Sequence, residues 1–227
     1  MRYRYLLCDN DNTLMDFDAA ERGALEQAAR MMALPFDEDV LRVYHTINQA
    51  QWAAYERGET TQDRLRVERF RLLLGALGLD EAQAHALADA FGEALATRAD
   101  LMPGAMAFME AVHAHMKVAL VTNGVGATQR GRLRRCPFTP YLDAVIISGE
   151  TGVSKPDPRM AYLALEALGC ADPREAVLLG DSESSDIACA CAAGIDSIHL
   201  AMRSEPSARA TRVAFSLEEA REMLLKE

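Results

Sequence analysis

The chain has 227 residues, half of them hydrophobic and 26% charged, the profile of a soluble globular protein with length for one large domain or two smaller ones. A formal net charge of −10 speaks against a general nucleic-acid or anionic-membrane binder. No apolar run approaches the roughly 20 residues of a membrane span. Leu6-Leu7-Cys8 is too short for the apolar centre of a secretory signal, so the cytoplasm is the expected compartment.

Residues 2–8 read as a short strand that runs into "CDNDNTL". From about Asp18 to Thr97 the pattern is helical. Asp18 and Glu21 form a plausible capping pair for the first helix. "DEDVLRVYHTINQAQWAAYERG", "TTQDRLRVERFRLLLGALG" and "DEAQAHALADAFGEALAT" supply three more, together a bundle-sized unit. After "LMPG" the rhythm alternates: "KVALV", "AVII", "AVLL" and "DSIHLA" are short apolar strands separated by helices, which predicts a parallel sheet covered on both faces. A final helix, "LEEAREMLLKE", has Ser216 and Glu219 as a capping box. The basic clusters "RLRVERFR" and "RGRLRR" read as solvated helix faces or turns. The cysteines, five in number and without framework spacing, read as reduced thiols, and Cys189 and Cys191 as an awkward chelating pair on a helix.

The polar residues fall at the strand ends: Asp9, Asn10 and Asp11, then Thr122 and Asn123, then Ser148 and Gly149, then Gly180 and Asp181. Ligands of open α/β sheets bind outside the carboxyl ends of strands. Several carboxylates gathered there need shared protons or a cation. Oxygen donors without His or Cys suit Mg²⁺. If the chain stays extended, Asp9 and Asp11 point to one side with their Cα atoms about 6.6 Å apart, leaving room for a metal and a reacting group. One acid is easily explained as a turn residue, two less so. In "SKPDP", Pro156 holds Lys155 extended, Asp157 is a plausible N-cap and Pro158 suits the first helical position.

These residues, in this order, resemble the haloacid dehalogenase (HAD) superfamily of phosphohydrolases. Its first motif, D-x-D-x-T-[LV], is matched by Asp9-Asn10-Asp11-Asn12-Thr13-Leu14. Its second, a Ser or Thr ending an apolar strand, is matched by Thr122, its third by Lys155, and its fourth, G-D-x-x-x-x-D, by Gly180, Asp181 and Asp186. Asn12 stands where many members have Gly. The resemblance implies a Rossmann-like doubly wound parallel α/β sheet, residues 1–15 and 98–227, with an inserted four-helix cap domain, residues 16–97, which closes over the crevice. It makes Asp9 the nucleophile and Asp11 the acid and base. Mg²⁺ would sit on Asp9, the backbone carbonyl of Asp11 and Asp181, with Asp186 behind, and Thr122, Asn123 and Lys155 would receive the phosphate.

The segments "DNDNTLMDFDAAE" and "TTQDRLRVERFRLLL" resemble the branch acting on nucleoside 5'-monophosphates, non-standard pyrimidine ones included, with Phe17, Trp52 and Arg64 as candidate contacts; core packing explains Phe17 and Trp52 equally well, and a surface salt bridge is the alternative for Arg64. The expected partner is a small phosphomonoester, for a monomer or homodimer, with no nucleic acid and no membrane. Alternatives of the same fold are a sugar-phosphate or phosphoglycolate phosphatase, a phosphomutase, or a dehalogenase, which needs neither metal nor second aspartate. A non-enzymatic phosphoacceptor domain fits less well, because Lys155 precedes the last acidic strand end and such domains lack a helical insert. "NGVGATQRG" suggests a dinucleotide fingerprint, but Gln129 stands where its third glycine belongs.

Overall fold

The computed structural model describes residues 2–226, which form two compact units. One comprises the described residues 2–17, 99–126 and 136–226; the other comprises residues 18–98 and 127–135.

The first unit is built on six parallel strands: β1 (Tyr5–Cys8), β2 (Lys117–Thr122), β3 (Ala144–Ile147), β4 (Ala176–Gly180), β5 (Asp196–Leu200) and β6 (Arg212–Ala214), in the order β3-β2-β1-β4-β5-β6. The sheet is the doubly wound α/β arrangement that the alternating apolar runs predict. Both faces of the central strands are buried, which is why β1, β2 and β4 read as continuous apolar runs instead of alternating ones. Leu7, Ala119, Val121 and Leu178 face a core shared with Met160, Ala161, Ala164 and Leu165 of α8 (Arg159–Leu168) and Cys189 and Ala190 of α9 (Ala188–Ala193). On the alternate positions, α5 (Ala105–His113) and α10 (Leu217–Leu225) pack together against the sheet. Cys8 is in register with Leu120 on one side and Leu179 on the other, so Asp9 leaves the sheet between two neighbours that end close by. Strand β6 is not legible in the sequence: three residues after a Ser- and Arg-rich loop show no period.

The second unit contains α1 (Phe17–Met31, from its second residue), α2 (Glu38–Glu56), α3 (Gln62–Ala76) and α4 (Ala84–Leu95). Residues 127–135, most of α6 (Gly126–Leu133), group with it, and Arg132 donates from Nε to the carbonyl of Arg98 at 3.2 Å. Asp37 caps α2 by accepting from Val40 N, and Thr61 caps α3 by accepting from Arg64 N. Asp18 is no cap; it lies inside the first turn of α1. Its supposed partner Glu21 is buried, accepts from Asn48 Nδ2 at 2.7 Å and pairs with His45 Nδ1 at 2.9 Å. Asn48 Oδ1 in turn accepts from Arg69 Nη1 at 2.9 Å, and the Arg69 guanidinium lies over the rings of Phe70 and Phe91. The two basic clusters are therefore not wholly solvated faces: Arg69 and Arg132 are buried. Charge counting misses this because an arginine can be buried against aromatic faces and carbonyl oxygens.

Candidate active site

The β1 ladder extends one residue past the strand, with Asp9 N donating to Leu179 O at 2.9 Å. The chain then turns. Leu14 N and Met15 N both donate to Asn10 O, at 2.9 and 2.8 Å. Asn12 takes φ +61°, a left-handed conformation that Asn tolerates better than most side chains, and its Oδ1 accepts from Phe17 N at 3.0 Å. This accounts for an Asn where many HAD members carry Gly.

Lys155 reaches the centre of the site from the loop before α8. Asn123 grips its backbone at both ends, Oδ1 accepting from Lys155 N and Nδ2 donating to Lys155 O, each at 2.8 Å. The Lys155–Pro156 peptide is cis. The expected start of α8 shifts by one residue: Pro158 is the N-cap instead of the first helical residue, Arg159 opens the helix, and Asp157, one position before the cap, accepts from Arg159 N at 2.9 Å. The Lys155 ammonium is buried and donates to Asp9 Oδ1 (2.6 Å), Asp186 Oδ1 (2.6 Å) and Val121 O (2.7 Å). Those three bonds use all its protons. Burial works against its charge, but the Asp186 and Asp9 carboxylates outweigh burial and hold the ammonium above its ordinary range.

Asp186 stands on a wide turn, Glu183–Ile187, in which Ile187 N donates five residues back to Ser182 O. Its Oδ2 accepts from Ser182 N at 3.0 Å, so both oxygens are engaged. A Cβ on Gly180 would lie 2.3 Å from the Asp186 carboxyl carbon; only glycine lets that carboxylate pack on the strand end.

Asp9, Asp181 and Asp186 bring carboxylate oxygens within 4.8 Å of one another. The Asp11 carboxylate is not one of the three, though it is near enough to push on Asp9. Burial, helped by Asp186 and Asp11 and opposed by Lys155, lifts Asp9 to about 7. Burial, Asp9 and Asp186 lift Asp181 to about 8. Acids this reluctant to ionise together call for a cation, and an all-oxygen donor set fits Mg²⁺. Thr122 is buried at the end of β2, beside the Val121 carbonyl that Lys155 holds.

Thr13 Oγ1 lies 3.5 Å from Asp181 Oδ1, and His199 Nε2 lies 2.8 Å from Asp181 O; no spacing pointed to His199. Phe17 is half-buried at the start of α1. In the helical unit, Trp52 is half-buried and edge-on to Tyr55, while Arg64 is exposed in the first turn of α3.

Residues 3–194 match the model of a hydrolase family, the haloacid dehalogenase-like hydrolases. The chain is 30% identical to the pyrimidine 5'-nucleotidase YjjG of Escherichia coli over 100% of both chains. It is 32% identical to a phosphoserine phosphatase of Thermus thermophilus, over 86% of this chain and 87% of that one. The crystal structure of the orthorhombic form of the HAD-hydrolase YfnB from Bacillus subtilis, bound to magnesium, superposes with a TM-score of 0.92 at 31% identity, covering 99% of this chain and 100% of that one.

The chain belongs to the haloacid dehalogenase-like hydrolase family. Within that family it is an enzyme of the phosphatase kind. Among the described residues, no helix is long and apolar enough to cross a membrane.

Proposed function

We propose that this chain is a Mg²⁺-dependent phosphomonoester hydrolase that works through an aspartyl-phosphate on Asp9, and that nucleoside 5'-monophosphates, pyrimidine ones foremost, are its preferred substrates. The observation that carries the chemistry is the pairing of Asp9 with Lys155. One carboxylate oxygen is fixed at 2.6 Å from a buried ammonium, which orients the other for attack.

In the first half-reaction, Asp9 attacks phosphorus, the bond to the leaving oxygen breaks, and Asp11 gives that oxygen its proton. In the second, Asp11 takes a proton from water as the water oxygen attacks the phosphorus, releasing inorganic phosphate and Asp9. Thr122, the backbone near Asn123, and Lys155 face the phosphoryl oxygens. Asp9, Asp181 and the Asp11 carbonyl would hold Mg²⁺, supported by Asp186; when bound, it supplies positive charge for the phosphoryl group. Because all three ammonium protons are engaged, Lys155 must exchange one of its bonds to meet a phosphate oxygen directly, or else act as a fixed counter-charge.

The nucleotide preference is supported by the likeness to YjjG, which runs through the helical insert as well as the sheet. A likeness to a phosphoserine phosphatase supports the general chemistry only. The test is a phosphatase screen with Mg²⁺ over nucleotides, sugar phosphates, phosphoglycolate and phosphoserine. A pyrimidine nucleotide with the highest kcat/KM is the expected result. A sugar phosphate or phosphoglycolate at the head of the ranking would remove the nucleotidase reading, and no activity on any phosphomonoester would remove the phosphatase mechanism.

A further inference from the structure

Strand β5 carries a histidine with no exposed surface, His199, in register with Gly180, the residue before Asp181. A buried imidazole needs partners for both nitrogens. The backbone N–H of Ser207 donates to Nδ1 at 3.0 Å. That makes Nδ1 an acceptor, and the network thereby assigns the ring proton to Nε2. Nε2 lies 2.8 Å from the backbone oxygen of Asp181 and donates to it; Ser204 Oγ lies 3.3 Å from the same nitrogen. The loop after β5 thus sets the tautomer, and the tautomer holds the Asp181 backbone.

Asp181 needs such support more than its neighbours do. Asp186 has both carboxylate oxygens engaged, and Asp9 has one tied to Lys155 at 2.6 Å. The contact to the Asp181 carboxylate from Thr13 is long, at 3.5 Å. Its direction is therefore set through its backbone.

We propose that His199 is a positioning residue for Asp181: by holding the Asp181 carbonyl, it aims the carboxylate at the place where Asp9 and Asp186 converge and so sets the affinity of the site for a divalent cation. The role rests on the metal-dependent reading above. Partners of this kind, one bond removed from a metal ligand, typically change affinity by roughly 10–100-fold when lost.

Two substitutions separate the two nitrogens. In His199→Gln, the amide nitrogen falls near the place of Nε2, keeping the donor to Asp181 and losing the acceptor for Ser207. In His199→Asn, the amide oxygen falls near the place of Nδ1, keeping the Ser207 bond and losing the donor. Metal-free protein is titrated with Mg²⁺ by calorimetry without substrate. The expected result is affinity weakened by roughly 10–100-fold in His199→Asn and close to wild type in His199→Gln. Wild-type affinity in His199→Asn, or an equal loss in both variants, overturns the role of His199 alone. No Mg²⁺ binding by the unsubstituted protein overturns the metal-dependent reading and this role with it. The unsubstituted protein gives an independent check by nitrogen-15 resonance of its histidine rings. His199 should carry its proton on Nε2, and that signal should move with the Mg²⁺ binding curve. A proton on Nδ1, or a signal indifferent to Mg²⁺, overturns the proposal even where a variant fails to fold.

Discussion

The ammonium of Lys155 meets three acceptors, two of them buried carboxylates. Removing it leaves Asp9 and Asp186 without their counter-charge. Lys155→Met should therefore cost roughly 3–5 kcal/mol of stability, read by denaturant unfolding of metal-free protein. A loss well under 1 kcal/mol, the range of an exposed pair, would contradict the buried pairing. The attacking group can be tested in the same way. Asp9→Asn should abolish turnover, whereas Asp11→Asn removes proton transfer alone and should slow it by roughly 10²–10⁴-fold, with phosphoenzyme accumulating on rapid quench. Wild-type rates in Asp9→Asn would refute the covalent route.

The two raised acids make a further prediction. Asp9 near 7 and Asp181 near 8 lie above the carboxylate value of an unfolded chain, so the metal-free folded state holds protons that the unfolded state has lost. Stability from these groups is present at acid pH and declines as pH rises toward 7–8. Mg²⁺ competes with those protons. The melting temperature gained on adding Mg²⁺ should thus grow between pH 6 and pH 8, as scanning calorimetry can show, and a gain that shrinks over that window would reverse the sign. At this scale the sequence carries Asp9, Lys155, Asp181 and Asp186, because each sits at a strand or loop end with its own motif. It does not carry the grip of Asn123 on Lys155 or the place of His199, whose partners lie 32, 18 and 8 residues away and leave no local period.

At the scale of elements, the strand ends decide what the side chains can do. Gly180 closes β4, and the wide turn after it returns Asp186 against its α-carbon. Gly180→Ala puts a methyl group where the carboxylate lies. Asp186 or the strand end must shift, and Lys155 with it. Overpacking of this kind costs roughly 1–3 kcal/mol, and kcat should fall further than that stability loss implies because the site is displaced. A variant of normal activity and stability would show that the close approach is not needed. The helix and strand types were readable from period, and the cap at Ser216 from capping chemistry, whereas the cap expected at Asp157 falls one residue later, on Pro158. Ser216 Oγ accepts from Glu219 N, although Glu219 reaches back to Phe215 N instead of to the cap residue itself. The three residues of β6 and the burial of Arg69 and Arg132 were not readable, since each depends on what packs against it.

For the whole molecule, the division of labour follows from which groups each unit carries. The acids, Thr122 and Lys155 belong to the sheet unit, and in the proposed mechanism they act on a phosphoryl group and a cation. None of them can tell a nucleoside from a sugar. If this chain prefers pyrimidine nucleotides, the discrimination must come from elsewhere, and the helical unit of residues 18–98 and 127–135 is where the proposal puts it. Its central aromatic residues are already used: Tyr44, Phe70 and Phe91 are fully buried against one another. Trp52 and Arg64 retain exposed surface, and the proposal assigns the contact with a base or a sugar to them. Trp52→Ala and Arg64→Ala should therefore change the order of kcat/KM among nucleotides and sugar phosphates while leaving a minimal aryl phosphate nearly unaffected. Equal losses on every substrate would mean that these residues serve closure or folding, and the determinants of the leaving group would have to be sought on the loops of the sheet unit.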